Sequence, residues 1–265
     1  MSGKGREGAP HGVTRQEIMA VAAAREIRNG EVAFIGTGLP MVAAYLAKFT
    51  HAPEAVLVFE SGIVDAKPRE LAEGVGDLRL LVGCVKSTGL YYALSLLQGG
   101  FIDIGFLGAA EVDQFGNLNS TAIGEYRRPT VRLPGSGGAN DIGSLARRLV
   151  IMVPHERRRL VPRVQYLTTP GFLDGPGARE RAGLRGEGPT RLISDLAVLD
   201  FDPASKRMRL STLHPGVTVE EVEAHTGFAL LRAPGLGETP VPNAEEVRLL
   251  REQIDPEGMY IGGKS

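Results

Sequence analysis

Apolar positions recur along this chain in two rhythms. Ile18, Val21, Ala22 and Ile27 fall at helical spacing behind a Thr14/Glu17 capping box, with Asn29-Gly30 as the expected stop. Val32–Ile35 then reads as a strand, Gly36-Thr37-Gly38 as a turn, and Met41–Phe49 as an apolar helix. Val56-Leu57-Val58-Phe59 is a continuous apolar run, as in a strand buried on both faces. Strand, helix and strand within this span suit a parallel crossover unit. Leu78–Val82 reads as a further buried strand, Leu90–Leu97 as a helix ending at Gly99-Gly100, and Phe101–Leu107 as another strand.

The rhythm then changes. Val112–Asn119 contains a tight turn between short strands, and Pro134–Asp141 is a glycine loop opening a helix through Ala146. Leu149–Val153 is a buried strand. Thr168–Pro189 holds six Gly and three Pro in 22 residues and reads as a long loop. Leu196–Phe201 and Arg207–Leu213 flank Asp202-Pro203-Ala204-Ser205 as a hairpin. Thr218/Glu221 and Asn243/Glu246 each start one more helix. The expected fold is α/β: a mostly parallel sheet flanked by helices, with additional antiparallel hairpins.

Bulk properties narrow the function classes. The 265 residues are enough to bury roughly three quarters of the unfolded surface. Residues 1–13 are polar and glycine-rich and read as a disordered tail, leaving 14–265 as a single domain. A net charge of -1 points to neither nucleic acid nor an anionic membrane. No apolar run approaches the ~20 residues of a membrane span. Cys84, the single cysteine, precludes an internal disulfide, and a cytoplasmic location is expected.

Several motifs lead nowhere. Gly258–Ser265 matches the phosphate-loop pattern, but no helix follows to aim its amides. Gly36-Thr37-Gly38 lacks the third glycine of a dinucleotide fingerprint, Met41 standing there. His155-Glu156 begins a zinc-protease pattern whose second ligand position is Arg159. The five histidines form no ligand cluster, so no metal is expected. Asn119-Ser120-Thr121 is a sequon without an export signal, and Arg157-Arg158-Arg159 reads most simply as a solvated charge run.

Three features survive. Glu60 stands where the Val56 strand ends, with Ser61 and Gly62 making the turn, and strand carboxyl ends are where open α/β sheets bind ligands. It could equally cap the loop or pair with a basic residue. Gly135–Gly138 could turn amides towards an oxyanion, or be a plain turn. Glu111 and Asp113 lie in an acidic turn that is either functional or merely capping. A carboxylate beside such amides suits acyl transfer with Glu60 as nucleophile, but spacing does not say that the segments meet.

A resemblance adds to this reading. Gly36–Pro40, Phe59-Glu60-Ser61-Gly62, Gly135–Asn140, Pro170–Gly177, Thr226-Gly227-Phe228 and Ile254-Asp255-Pro256 resemble the beta subunits of the glutaconate type in family I of the CoA-transferases. The likeness runs from about residue 14 to 258. It implies the CoA-transferase, sugar-phosphate-isomerase-like fold, with Glu60 as the nucleophile that carries CoA as a glutamyl thioester. It further implies Gly137, Gly138 and Ala139 as the oxyanion and CoA-proximal loop, and Ser61, Gly62, Glu111 and Asp113 as pocket residues. No permanently bound cofactor is expected. The CoA thioester is a substrate, with a carboxylic acid as acceptor, and an alpha subunit completes the enzyme.

Where the family usually has glutamine, this chain has Glu111. A second carboxylate near Glu60 would couple to it and repel an anionic acyl end. The alternative functions are a related acyl-CoA hydrolase or decarboxylase subunit, and an effector-binding module on the same fold. A sugar-phosphate isomerase rests on fold analogy alone.

Overall fold

The structure, a computed structural model, describes residues 12–262. Within the stretch read as a tail, Gly12 accepts a hydrogen bond from Arg251 and Val13 is buried. The Thr14 side chain accepts the Glu17 amide, and Glu17 accepts the Thr14 amide, which closes the capping box of α1 (Arg15–Ala24). The helix ends at Arg25, short of Asn29-Gly30. The strand β1 (Val32–Ile35), the helix α2 (Leu39–Phe49) and the strand β2 (Val56–Phe59) form the expected crossover unit, with Val32 paired in parallel to Val56.

Two short strands, β3 (Ile63–Val64) and β4 (Lys86–Ser87), add on antiparallel beyond β2 and end the sheet on that side. The helix α3 (Leu90–Gln98) then returns the chain to β5 (Ile104–Leu107), parallel to β1. The acidic turn forms the hairpin β6 (Glu111–Asp113) and β7 (Leu118–Asn119), followed by a second hairpin, β8 (Ala122–Ile123) and β9 (Val131–Arg132). Next come α4 (Ala139–Leu145), the fully buried β10 (Arg148–Met152), and β11 (Leu160–Val161), which pairs with β6. After the helix α5 (Ala178–Arg181), β12 (Gly188–Ile193), β13 (Ala197–Phe201) and β14 (Met208–Leu213) continue the sheet. The helix α6 (Val219–Ala224), β15 (Leu231–Glu238) and the helix α7 (Ala244–Leu249) complete the named elements.

The sheet order is β15-β14-β13-β12-β10-β5-β1-β2-β3-β4. Its centre, β12 to β2, is parallel, and the hairpins β2-β3-β4 and β12-β13-β14 flank it antiparallel. The pleat sends successive side chains to opposite faces. Ile35, Leu57, Phe59 and Phe106 therefore enter one core with α1 and α2, while Phe34, Val58, Leu149 and Ile151 enter a second with α3 and α4. Each fully buried Leu, Ile or Phe contributes about 1.5–3 kcal/mol. That two-sided burial is why the central strands read as unbroken apolar runs.

Two expectations need correction, and one strand goes unread in the sequence. Leu78–Leu81 is a 3-10 turn capped by the Asp77 side chain, not a strand; Leu80 alone is buried and Leu78 is 76% exposed. Its apolar run covers surface. The strand expected from Phe101 begins at Ile104, and Phe101 is exposed. The sequence pattern hides β15, because Pro234, Gly235 and Gly237 interrupt it. The structure accommodates them by a register shift against β14 between Leu210 and Thr212.

Candidate active site

The parallel strands all deliver their carboxyl ends to one edge: β1 to Gly36–Gly38, β2 to Glu60, β5 to the approach to Glu111. Glu60 is the second residue of a tight turn in which the Gly62 amide donates to the Phe59 carbonyl at 2.9 Å. Gly62 sits at φ 90 and packs on the backbone of Gly89, with Thr88 donating to the Gly62 carbonyl through both its amide (3.0 Å) and its hydroxyl (2.6 Å). A loop between β4 and α3 thus fixes the direction in which Glu60 leaves the sheet. The adjacent Ser61 Oγ is buried with no hydrogen-bond partner among the described residues.

The glycine loop reaches the same point from the other core. The Gly138 amide donates to Glu60 Oε1 at 2.9 Å. Space there is tight: a Cβ on Gly138 would lie 3.3 Å from Glu60 Cδ and 3.4 Å from Leu94 Cδ2, and one on Gly137 would lie 3.3 Å from Glu60 Oε1. Gly137, at φ 48, lets the chain turn in this way. Ala139 follows in the first turn of α4, with its amide on the Ser136 carbonyl. Glu60 and Gly138 thus meet across 78 positions of sequence.

Ser120 braces the loop. It exchanges hydrogen bonds with Gly135 at 2.8 Å in both directions and donates its amide to Thr168 Oγ1, which also bonds Thr121 Oγ1. The Asn119-Ser120-Thr121 triplet, noted in the sequence as a sequon, therefore holds the loop in place. Sequence reasoning does not single out Thr88, Gly89, Leu94 or Ser120. The only local signal is a Thr-Gly pair before a helix.

Glu111 and Asp113 are buried but turn elsewhere. Glu111 accepts from Asn119 Nδ2 (2.7 Å), the Gln165 amide (2.9 Å) and Gln165 Nε2 (2.6 Å); among the described residues no hydrogen bond joins it to Glu60. Its carboxylate braces β6 against β7 and Gln165. Asp113 accepts the amides of Phe115 and Asn117 and caps the turn. Burial raises its pKa above the usual carboxylate range. It lines a cavity of about 350 Å³ with Asn117, Arg163, Leu173 and Asp174, whose lining does not include Glu60.

His155 and His214 bond residues other than those around Glu60. His155 bonds Ser194 Oγ (2.8 Å) and Thr226 Oγ1 (3.0 Å), and His214 bonds the Ser194 carbonyl (2.7 Å) and Thr239 Oγ1 (3.0 Å). Burial lowers both to about 4, so both are neutral near pH 7. Gly227 follows Thr226 because a Cβ there would lie 2.3 Å from the Leu160 carbonyl oxygen. The Thr226-Gly227-Phe228 motif is thus part of the scaffold. Arg158 and Arg159 both pair with Glu156. Among the described residues no group of His, Cys, Asp or Glu side chains is placed to hold a metal ion, and no helix is long and apolar enough to cross a membrane. Gly263–Ser265, the end of the phosphate-loop match, lie outside the described residues.

A parallel α/β sheet presenting a carboxylate to a glycine-loop amide defines the class, and comparison with known proteins agrees. The chain belongs to the Coenzyme A transferase family, which it matches over residues 16–225. It is 40% identical to the B subunit of glutaconate CoA-transferase from Acidaminococcus fermentans, over 94% of this chain and 95% of the relative. It is 44% identical to the B subunit of 3-oxoadipate CoA-transferase from Pseudomonas knackmussii, over 89% and 91%. The crystal structure of the Acidaminococcus glutaconate coenzyme A-transferase superposes with a TM-score of 0.90 at 38% identity, covering 97% of this chain and 100% of that one. The decarboxylase AibA/AibB superposes with a TM-score of 0.82 at 32% identity, covering 95% of this chain and 100% of that one. The chain is a CoA-transferase beta subunit with the expected α/β fold.

Proposed function

We propose that this subunit moves CoA between an acyl-CoA and a carboxylic or dicarboxylic acid through a thioester on Glu60, in a complex with an alpha subunit. The observation that carries the reading is the Gly138 amide at 2.9 Å from Glu60 Oε1, at the carboxyl end of β2. With Oε1 held, Oε2 is free to attack the thioester carbonyl. That attack forms a C–O bond, breaks the C–S bond, and gives an acyl-glutamyl anhydride and CoA thiolate. The thiolate then attacks the glutamyl carbonyl carbon, and the donor acid leaves as its carboxylate. In this second step negative charge develops on Oε1, where the Gly138 amide meets it; one such donor is worth about 3–4 kcal/mol. The acceptor carboxylate takes CoA by the reverse steps. No step needs a proton to move, which suits a site whose neighbours are amides and apolar side chains.

The alpha subunit is supported by the relatives, which are named as B subunits, and by the surface near Glu60. Val85, Leu90 and Tyr91 are 74%, 50% and 88% exposed. They adjoin, along the chain, the Thr88-Gly89 contact with Gly62. A companion seated there would cover apolar surface and shield the anhydride from water.

The test is co-purification with the alpha subunit and incubation with an acyl-CoA labelled in its CoA moiety and an added acid. Label in the new thioester supports transfer. Free thiol alone would instead favour a hydrolase, and carbon dioxide released with the CoA thioester intact would favour a decarboxylase, the activity named for the similar AibA/AibB.

A further inference from the structure

The hairpin β8–β9 carries a cationic tip that neither the fold nor the transfer chemistry uses. Its turn is closed by the Thr130 amide on the Ile123 carbonyl and the Arg128 amide on the Glu125 carbonyl. Tyr126 stacks on Tyr166, with ring centroids 5.1 Å apart, and the Arg132 guanidinium lies over the Tyr126 ring while donating to its carbonyl at 2.9 Å. The tip is therefore held rigid. Arg127 and Arg128 are exposed and have no side-chain hydrogen bond or ion pair among the described residues; Glu125 is the acid on the same turn. Elsewhere Arg25, Arg79, Arg148, Arg209 and Arg248 are each paired with carboxylates. Arg127 and Arg128 are thus two adjacent unneutralised guanidinium groups on a fixed turn.

We infer that Arg127 and Arg128 bind the phosphates at the nucleotide end of CoA. The inference rests on the transfer reading above, which requires the thiol of CoA at Glu60. From Val131 the strand runs through Leu133-Pro134 into Gly135–Gly138, and the Gly138 amide lies on Glu60. Val131 and Gly135 are four residues apart, roughly 13 Å of extended chain, and the tip lies beyond. An extended pantetheine arm has a comparable reach. The far end of CoA carries a diphosphate, a ribose phosphate and an adenine. Guanidinium forks match phosphate oxygens in pairs, and an aromatic edge suits the base. A chain of net charge -1 has no general field to attract such a polyanion, so a local pair of cations has to supply the attraction.

Equilibrium dialysis of labelled CoA against the two-subunit complex tests this without requiring turnover. Absence of transfer in the wild type would count against the Glu60 chemistry and leave the dialysis readable. The R127E/R128E variant is expected to bind CoA at least tenfold more weakly. Adenosine bisphosphate, the nucleotide end without the arm, should displace CoA from the wild type and not bind the variant. The subunits should stay associated. CoA binding within twofold of wild type, or loss of the alpha subunit from the variant, would overturn the assignment; the second result would make the tip a subunit contact. If charge reversal prevents folding, R127Q/R128Q serves the same purpose: a salt-dependent CoA affinity in the wild type should become nearly salt-independent. An unchanged salt slope would overturn the inference.

Discussion

Gly62 and Gly89 touch backbone to backbone: a Cβ on Gly62 would lie 2.4 Å from the Gly89 carbonyl oxygen, and Gly62 holds φ 90. This contact joins the turn bearing Glu60 to the loop before α3. Gly62→Ala meets both the left-handed penalty, about 1–2 kcal/mol, and a backbone clash that no side chain can relieve. We expect it to lower the urea midpoint by an equivalent of about 2 kcal/mol or more, and to cut transfer further than the loss of folded protein accounts for. Unchanged stability would show that the turn can relax away from Gly89.

Gly138→Ala probes the oxyanion contact more gently. The new methyl would press on Glu60 Cδ and Leu94 at 3.3–3.4 Å, with no unfavourable φ to add, Gly138 being at φ -80. The expected outcome is a near-normal unfolding curve with transfer reduced about tenfold to a hundredfold as the amide and carboxylate lose alignment. Steady-state kinetics of the assembled complex measures it. Full activity would argue that the Gly138 hydrogen bond is incidental.

Glu111→Gln separates bracing from catalysis. The carboxylate accepts three hydrogen bonds from Asn119 and Gln165, and an amide would turn an NH2 group towards at least one of those donors. We expect a stability loss of about 1–2 kcal/mol. The pH dependence of transfer should stay unchanged, because the charge is not bonded to Glu60. A shifted pH profile with unchanged stability would restore the coupled-carboxylate picture.

The neutral histidines give the fold an acid limit. His155 and His214 are lowered by burial to about 4 in the folded chain, against 6.5 as the ordinary value. Between these values the unfolded chain binds more protons than the folded one. Stability is therefore fully present above about pH 6.5 and falls as pH drops towards 4. The slope for two such groups is at most about 2.7 kcal/mol per pH unit. Urea titrations across this range should show the fall, and replacing either histidine with glutamine should flatten it. A flat wild-type profile would contradict the burial argument.

Much of the fold is legible in the sequence because burial on both faces leaves a plain mark: Val56–Phe59 and Leu149–Val153 could hardly be other than central strands. The hairpin over Asp202–Ser205 and the capped helix starts are equally local. What misleads is surface that looks like core. Leu78–Val82 is apolar yet largely exposed, with Leu80 alone buried, and no periodicity distinguishes that from a strand. β15 is hidden because an edge strand tolerates Pro and Gly. Within the site, the types of residue at Glu60 and Gly135–Gly138 can be read, but their meeting across 78 positions cannot. Nor can the role of Glu111, since nothing local reveals that Gln165 reaches back to it.

The most direct measurement is peptide mass spectrometry of the two-subunit complex after incubation with an acyl-CoA followed by borohydride, which reduces a thioester carbonyl to an alcohol. The account predicts that Glu60, and no other carboxylate, is reduced, and only when acyl-CoA is present. Transfer proceeding with Glu60 unmodified, or with the mark on another residue, would contradict it.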